Sequence, residues 1–291
     1  MAGIIRVGTA SWADPDFVKS WYPKGLPAQE RLPWYAEHFS FVEVNSSFYA
    51  VPAPTTVETW VEQTPEEFVF DLKLFKGLSR HAMKAEDLAP ALRPLGSSPK
   101  DKVLLGPDLE GSLLDSTEEA IRPLITAGKL GALLLQLSPE FSPKKHDLSE
   151  LLPVINRLRP YGLAVELRNR NWMVGEEASE VVEFFEREGV SLVMVDAPKS
   201  ENFTIMPSFE VVTNSKLAYV RLHGRDEKAY TTGKSVSERF KYDYSDSEIQ
   251  ETVDKAKRLA EEAEEVHIVY NNNHWNYAPN AAEEFQRRLS K

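Results

Sequence analysis

Eight short apolar runs are spaced along the chain, and nearly all of them end in a charged or amide side chain. They read Ile4-Ile5-Arg6-Val7-Gly8, Phe41-Val42-Glu43-Val44-Asn45, Phe68-Val69-Phe70-Asp71-Leu72-Lys73 and Ala132-Leu133-Leu134-Leu135-Gln136-Leu137. Then follow Leu163-Ala164-Val165-Glu166-Leu167-Arg168, Ser191-Leu192-Val193-Met194-Val195-Asp196, Leu217-Ala218-Tyr219-Val220-Arg221-Leu222-His223 and Val266-His267-Ile268-Val269-Tyr270-Asn271-Asn272. Each has the length of a buried strand rather than a helix. Strand side chains alternate faces, so Glu43 and Asn45 share a face, as do Asp71 and Lys73, Glu166 and Arg168, and Arg221 and His223. Successive strands that deliver such groups point to one shared polar site.

Helical signals fill the gaps, over residues 27–39, 55–63, 116–126, 147–159, 176–188, 246–265 and 281–289. Thr55 and Thr56 read as caps after Pro54, and the segment from Ser116 places acid in a first turn. The clearest case starts at Ser245, which with Glu248 forms a capping box, and Glu251 stands one turn from Lys255. Strand followed by helix implies parallel strands joined by helical crossovers. Eight such strands predict an α/β fold of the (β/α)₈ TIM-barrel type. A doubly wound sheet would carry a glycine-rich phosphate loop after its first strand, and Gly8-Thr9-Ala10-Ser11-Trp12 is not one. Two stretches interrupt the pattern. Residues 76–115 form an irregular insertion between the third and fourth strands, and 197–215 lacks a helical period, so the sixth helix is expected to be degenerate. With no repeat and no linker composition, 1–291 is read as a single domain.

Composition narrows the classes. An apolar content of 42% supplies a core for 291 residues. No stretch approaches the ~18 apolar residues of a membrane span. The absence of cysteine excludes disulfides, thiolate nucleophiles and cysteine-ligated metals. No basic and apolar leader precedes the first strand, so a cytoplasmic protein is the expectation. A formal charge of −11 argues against nucleic acid as the partner. A small molecule is the expected partner, and a monomer the expected state.

In such a barrel the strand carboxyl ends and the loops after them build the site. That groups Glu43, Asn45, Asp71, Lys73, Gln136, Glu166, Arg168, Asp196, Arg221, His223, Asn272 and His274 at one mouth. Glu43 and Glu166 are the acid/base candidates, because burial or a like-charged neighbour would raise one carboxyl toward the range useful for proton transfer. The competing reading makes both ion-pair partners of Lys73, Arg168 or Arg221 that fill the barrel. His223 is the third catalytic candidate, as a general base or a donor to an oxyanion. Trp12, Tyr49, Trp172 and Trp275 follow strands closely enough to wall a pocket. No HxH or HExxH spacing appears, and three cations at the strand ends oppose a divalent ion, so no metal ligand is assigned. No cofactor is specified. Mixed charge with arginines suits a ligand bearing carboxylate or phosphate.

These motifs resemble the DUF72 family, also called YecE-like. The resemblance rests on Gly8-Thr9-Ala10-Ser11-Trp12, Trp21-Tyr22-Pro23, Val42 through Tyr49, Val165-Glu166-Leu167-Arg168 with Trp172, Tyr219 through Arg225, and Asn272-Asn273 with Tyr277-Ala278. It implies a TIM barrel and no agreed activity. The chain departs from the family pattern at Ala10, where serine is usual, and at Asn169, where a histidine commonly follows the arginine. The leading expectation is an enzyme doing acid/base chemistry on a small anionic or polyhydroxylated ligand. Glu43 and Glu166 would handle protons, Lys73, Arg168 and Arg221 would hold charge, and Asn45, Gln136 and Asn272 would orient hydroxyls. A metal-dependent nuclease or isomerase, and a non-catalytic binding protein, are the alternatives.

Overall fold

A computed structural model of the chain describes residues 2–175 and 177–291. All eight apolar runs are strands: β1 (Ile4–Thr9), β2 (Phe41–Val44), β3 (Val69–Lys73), β4 (Leu130–Gln136), β5 (Leu163–Glu166), β6 (in two pieces, Ser191–Leu192 and Met194–Asp196), β7 (Leu217–Leu222) and β8 (Glu265–Tyr270). They form two all-parallel sheets, ordered β1-β8-β7-β6 and β2-β3-β4-β5-β6. The two pieces of β6 belong one to each sheet, and between them the Val193 amide donates to the Val165 carbonyl at 2.9 Å. The fold is therefore mixed α/β with parallel sheets, as the alternation of elements requires. The ladders do not run through to a closed ring, because none joins β1 to β2.

Side chains bridge that seam instead. The buried Tyr35 hydroxyl accepts from the Thr9 amide and donates to the Phe41 carbonyl, each at 3.1 Å. Asn45 Nδ2 adds a bond to the Ala10 carbonyl at 3.0 Å. The backbones approach so closely here that a Cβ on Gly8 would lie 2.3 Å from the Phe41 carbonyl oxygen. A second close approach accompanies the register shift between β3 and β4, where a Cβ on Gly131 would meet Asp71 Oδ1 at 2.5 Å. Glycine at both places leaves room for a neighbouring polar group that a side chain would displace.

The helices cover the strands, and several differ from the sequence reading. The helix expected from Ser116 begins at Pro107 and runs to Thr126, so the irregular insertion ends at Gly106. Proline is well placed there, since its missing amide proton is not needed in the first turn. The same rule sets the helix Pro54–Glu62, whose cap is Ala53 and not a threonine. Segment 27–39 yields a single turn of 3₁₀ helix and the helix Arg31–Ala36. Segment 147–159 splits similarly before Leu152–Leu158. Helix Glu177–Glu188 matches, although Glu176 lies outside the described residues. Helix Asp246–Glu262 has the expected capping box, but Glu251 pairs with Arg225 at 3.2 Å rather than with Lys255. The last helix, Tyr277–Leu289, starts a turn earlier than expected. An unanticipated helix, Pro15–Ser20, follows β1. No helix occupies 197–215, and two short ones, Glu227–Thr232 and Val236–Arg239, follow β7 instead. In the insertion, Met83–Lys84 pairs antiparallel with Lys102–Val103. Among the described residues no helix is long and apolar enough to cross a membrane.

Inside the strands, toward their amino ends, charge replaces apolar packing. His267 Nδ1 lies 2.8 Å from Asp71 Oδ2 and its Nε2 3.1 Å from Glu265 Oε2, while Arg6 holds Glu265 at 2.8 Å. Burial acts to lower the His267 pKa, but the two carboxylates outweigh it and push the ring up to about 9. The folded state thus binds a proton that the unfolded chain releases near pH 6.5. This contribution, about 3 kcal/mol, is fully present below pH 6.5 and is lost as pH rises through about 9. Urea melts across pH 6 to 9.5 should show that loss in the wild type and a markedly smaller one in His267→Gln. Identical slopes would contradict a charged imidazolium.

Candidate functional site

Arg221 on β7 has a guanidinium that spans two strands. Its Nε and Nη2 donate to the two Glu43 oxygens at 2.9 and 2.6 Å, and Nη1 donates to Glu166 Oε2 at 2.6 Å. All three side chains are fully buried or nearly so. The carboxylates accept further bonds. Tyr219 donates its hydroxyl to Glu43 Oε2 at 2.9 Å, and Gln136 Nε2 donates to Glu166 Oε1 at 2.8 Å. His223 Nε2 reaches the same Glu166 oxygen at 3.1 Å. Asn271 Nδ2 donates to His223 Nδ1 at 2.8 Å, which puts the imidazole proton on Nε2 and makes the ring a donor to Glu166.

This arrangement bears on the acid/base expectation. Burial would raise the Glu166 carboxyl, but Arg221, His223 and Arg168 overcome it and hold the group well below the usual carboxylate range. Glu43 is held bidentately by the same arginine. Burial pushes His223 down to about 4 against the pull of Glu166, and both of its nitrogens are engaged. A free general base is not found among these three. Both glutamates form ion pairs with Arg221 in the buried interior.

Groups with unused capacity lie just beyond. Lys73, at the end of β3, is half-buried with its ammonium 4.2 Å from the centre of the Phe48 ring. Burial, then Arg221, with Arg168 adding, lowers it to about 7, although Glu43 and Glu166 act the other way. Arg168 gives Nη2 to the Tyr230 hydroxyl at 3.0 Å, while its buried Nε lies 3.6 Å from Glu166 and finds no acceptor. His81 is neutral, lowered to about 4 by burial and by Lys73 and Arg168, and its buried Nε2 is unpartnered. Asn45 Oδ1 is likewise buried without a donor.

Other candidates fall elsewhere. Asp196 pairs in register with Leu222, not Arg221, so it faces the helices, where it binds Arg225 at 2.7 Å and Tyr244 at 2.8 Å. Asn272 donates to the Tyr242 carbonyl at 2.8 Å, and Asn271, one residue earlier, takes the interior place expected of it. Trp172 is core, stacked on Phe141 at 5.5 Å with its Nε1 on the Phe141 carbonyl. Trp12 packs edge-on against Trp60 and Phe70. Tyr49 is 64% exposed and Trp275 61% exposed. His274 Nδ1 lies 3.0 Å from the Ser237 hydroxyl, which also donates to Asp16. Asn169 is buried and donates to the Pro139 carbonyl. Tyr219 and Asn271 were legible by alternation from Arg221 and His267. His81 carries no comparable signal, since it lies in the irregular insertion. Among the described residues no group of three or more His, Asp and Glu side chains is arranged to hold a metal ion.

Removing the bridge tests its structural weight. Arg221→Met leaves two buried carboxylates without their cation, and a loss of about 3–5 kcal/mol in urea unfolding is expected. A loss below about 1 kcal/mol would mean that the glutamates are not held as described.

Comparison with known proteins agrees with the motif resemblance. The family model described as "Protein of unknown function DUF72" matches residues 6–291. The chain is 27% identical over 274 residues to the UPF0759 protein YunF of Bacillus subtilis, covering 93% of this chain and 89% of that protein. It is 29% identical over 196 residues to the UPF0759 protein YecE of Escherichia coli K12, covering 67% of this chain and 60% of that protein. A DUF72 family protein from Enterococcus faecalis superposes with a TM-score of 0.76 at 26% identity, covering 99% of this chain and 98% of that one. One from Thermotoga maritima gives 0.77 at 25% identity, with 99% and 100% covered. The chain belongs to the DUF72 family.

Proposed function

We propose that the protein is a single-domain, monomeric (β/α)₈ TIM-barrel enzyme acting on a small ligand that bears an anionic group. Barrel closure is supported by the shared β6 and by the Tyr35 bridge between β1 and β2. The ligand would enter at the strand carboxyl ends, with Arg168 and Lys73 facing its negative charge. Glu43 and Glu166 would act through Arg221, fixing the field at the floor of the site instead of exchanging protons themselves. A preorganised charge array of this kind favours a defined charge distribution in the ligand without reorganising.

The observation that carries the reading is the Arg168 Nε, buried and without an acceptor beside a lysine whose own charge is disfavoured. A buried donor left unpaired is costly, and an incoming oxyanion would satisfy it. Inorganic phosphate should therefore raise the melting temperature of the wild type, and Arg168→Met should abolish the rise. No rise, or an equal rise in the variant, would overturn the assignment of the anion to Arg168.

A further inference from the structure

We propose that Lys73 is a nucleophile that forms an imine with the carbonyl carbon of an anionic substrate, an inference that rests on the anion site just described. Among the described residues, Lys73 Nζ has neither a carboxylate within ion-pair distance nor a hydrogen-bond acceptor. A structural lysine in an interior with two glutamates would take one of them, as Lys76 takes Asp87 at 2.6 Å. Here Arg221 already occupies both carboxylates, so Lys73 is left against the Phe48 ring.

The groups facing the amine set its state. Arg221 and Arg168 disfavour its charge, Glu43 and Glu166 favour it, burial decides the balance, and neutral His81 adds no charge of its own. The result, about 7, leaves a large fraction of free amine at neutral pH, where an ordinary lysine offers roughly one part in a thousand or less. A desolvated lysine beside other cations is the usual way to activate an amine toward carbonyls. Arg168 would hold the substrate's anionic group while the amine lone pair forms the C–N bond. The carbonyl π pair moves to oxygen, which takes a proton as the nitrogen loses one. Protonation of the carbinolamine hydroxyl by solvent lets it leave as water, the nitrogen lone pair closes the C=N bond, and the protonated imine results. No oxidant, reductant or metal is required.

Pyridoxal 5′-phosphate, an aldehyde carrying a phosphate, is the probe. The protein is incubated with it at several pH values and reduced with borohydride, which delivers hydride to the imine carbon and fixes a secondary amine. The modified peptides are then mapped by mass spectrometry. Lys73 should be labelled at least about tenfold faster at pH 7 than exposed Lys257, given the difference in free amine. Its labelling should reach half-maximum near pH 7, inorganic phosphate should protect it, and Lys73→Met, which places no charge beside Arg221 and Arg168, should remove the label without lowering the melting temperature. Label confined to exposed lysines, with Lys73 unmodified, would overturn the proposal. If phosphate still stabilises the protein through Arg168 in that case, only the imine step fails. If phosphate has no effect either, the anion site fails with it.

Discussion

One guanidinium determines what the rest of this interior can be. Arg221 holds Glu43 and Glu166, which reach it from strands in the other sheet, so the two sheets share a buried ion triad at their centre. Burying two carboxylates and an arginine is costly unless every lone pair and proton is engaged. Tyr219, Gln136, His223 and Asn271 supply further bonds, Tyr219 from within its strand and the others from strand ends. The triad is better read as a fixed charge pattern than as a strong source of stability.

That fixed pattern redistributes reactivity. Groups bonded to Arg221 or Glu166 lose the freedom to exchange protons, and groups just outside the triad inherit unsatisfied capacity. Lys73 cannot find a carboxylate, Arg168 keeps a buried Nε without an acceptor, and His81 keeps a bare Nε2. Below the triad, His267 between Asp71 and Glu265 has the opposite outcome, since the two carboxylates flanking the ring hold a proton on it. The same residue types thus act as structural charge in one layer and as available groups in the next.

Much of this was legible in the chain. Short apolar runs located all eight strands, and period-2 alternation put Glu43, Glu166, Arg221 and His223 together, because side-chain direction in a strand follows from sequence parity. Taking the polar residue at each strand end did not settle which one points inward. Asp196 turned out one register step away from Arg221's face, and Asn271 replaced Asn272, each a single-residue slip that flips the side chain. The Tyr35 bridge across the β1–β2 seam and the role of His81 depend on loop paths that no periodicity encodes. The helix from Pro107 was hidden because its first turns carry Gly111 and mixed polarity. Electrostatic outcome was the least legible: whether two glutamates raise each other's pKa or share an arginine depends on ångström-scale placement.

Glu166 is a held carboxylate, not a poised acid. A ¹³C NMR titration of protein labelled at glutamate carboxyl carbons, with the Glu166 signal assigned by its loss in Glu166→Gln, tests this directly. The Glu166 shift should stay that of the ionised form from pH 8 down through 4.5, below which ordinary glutamates have titrated. A titration step of that signal above pH 5 would contradict the account and return Glu166 to the role of proton donor.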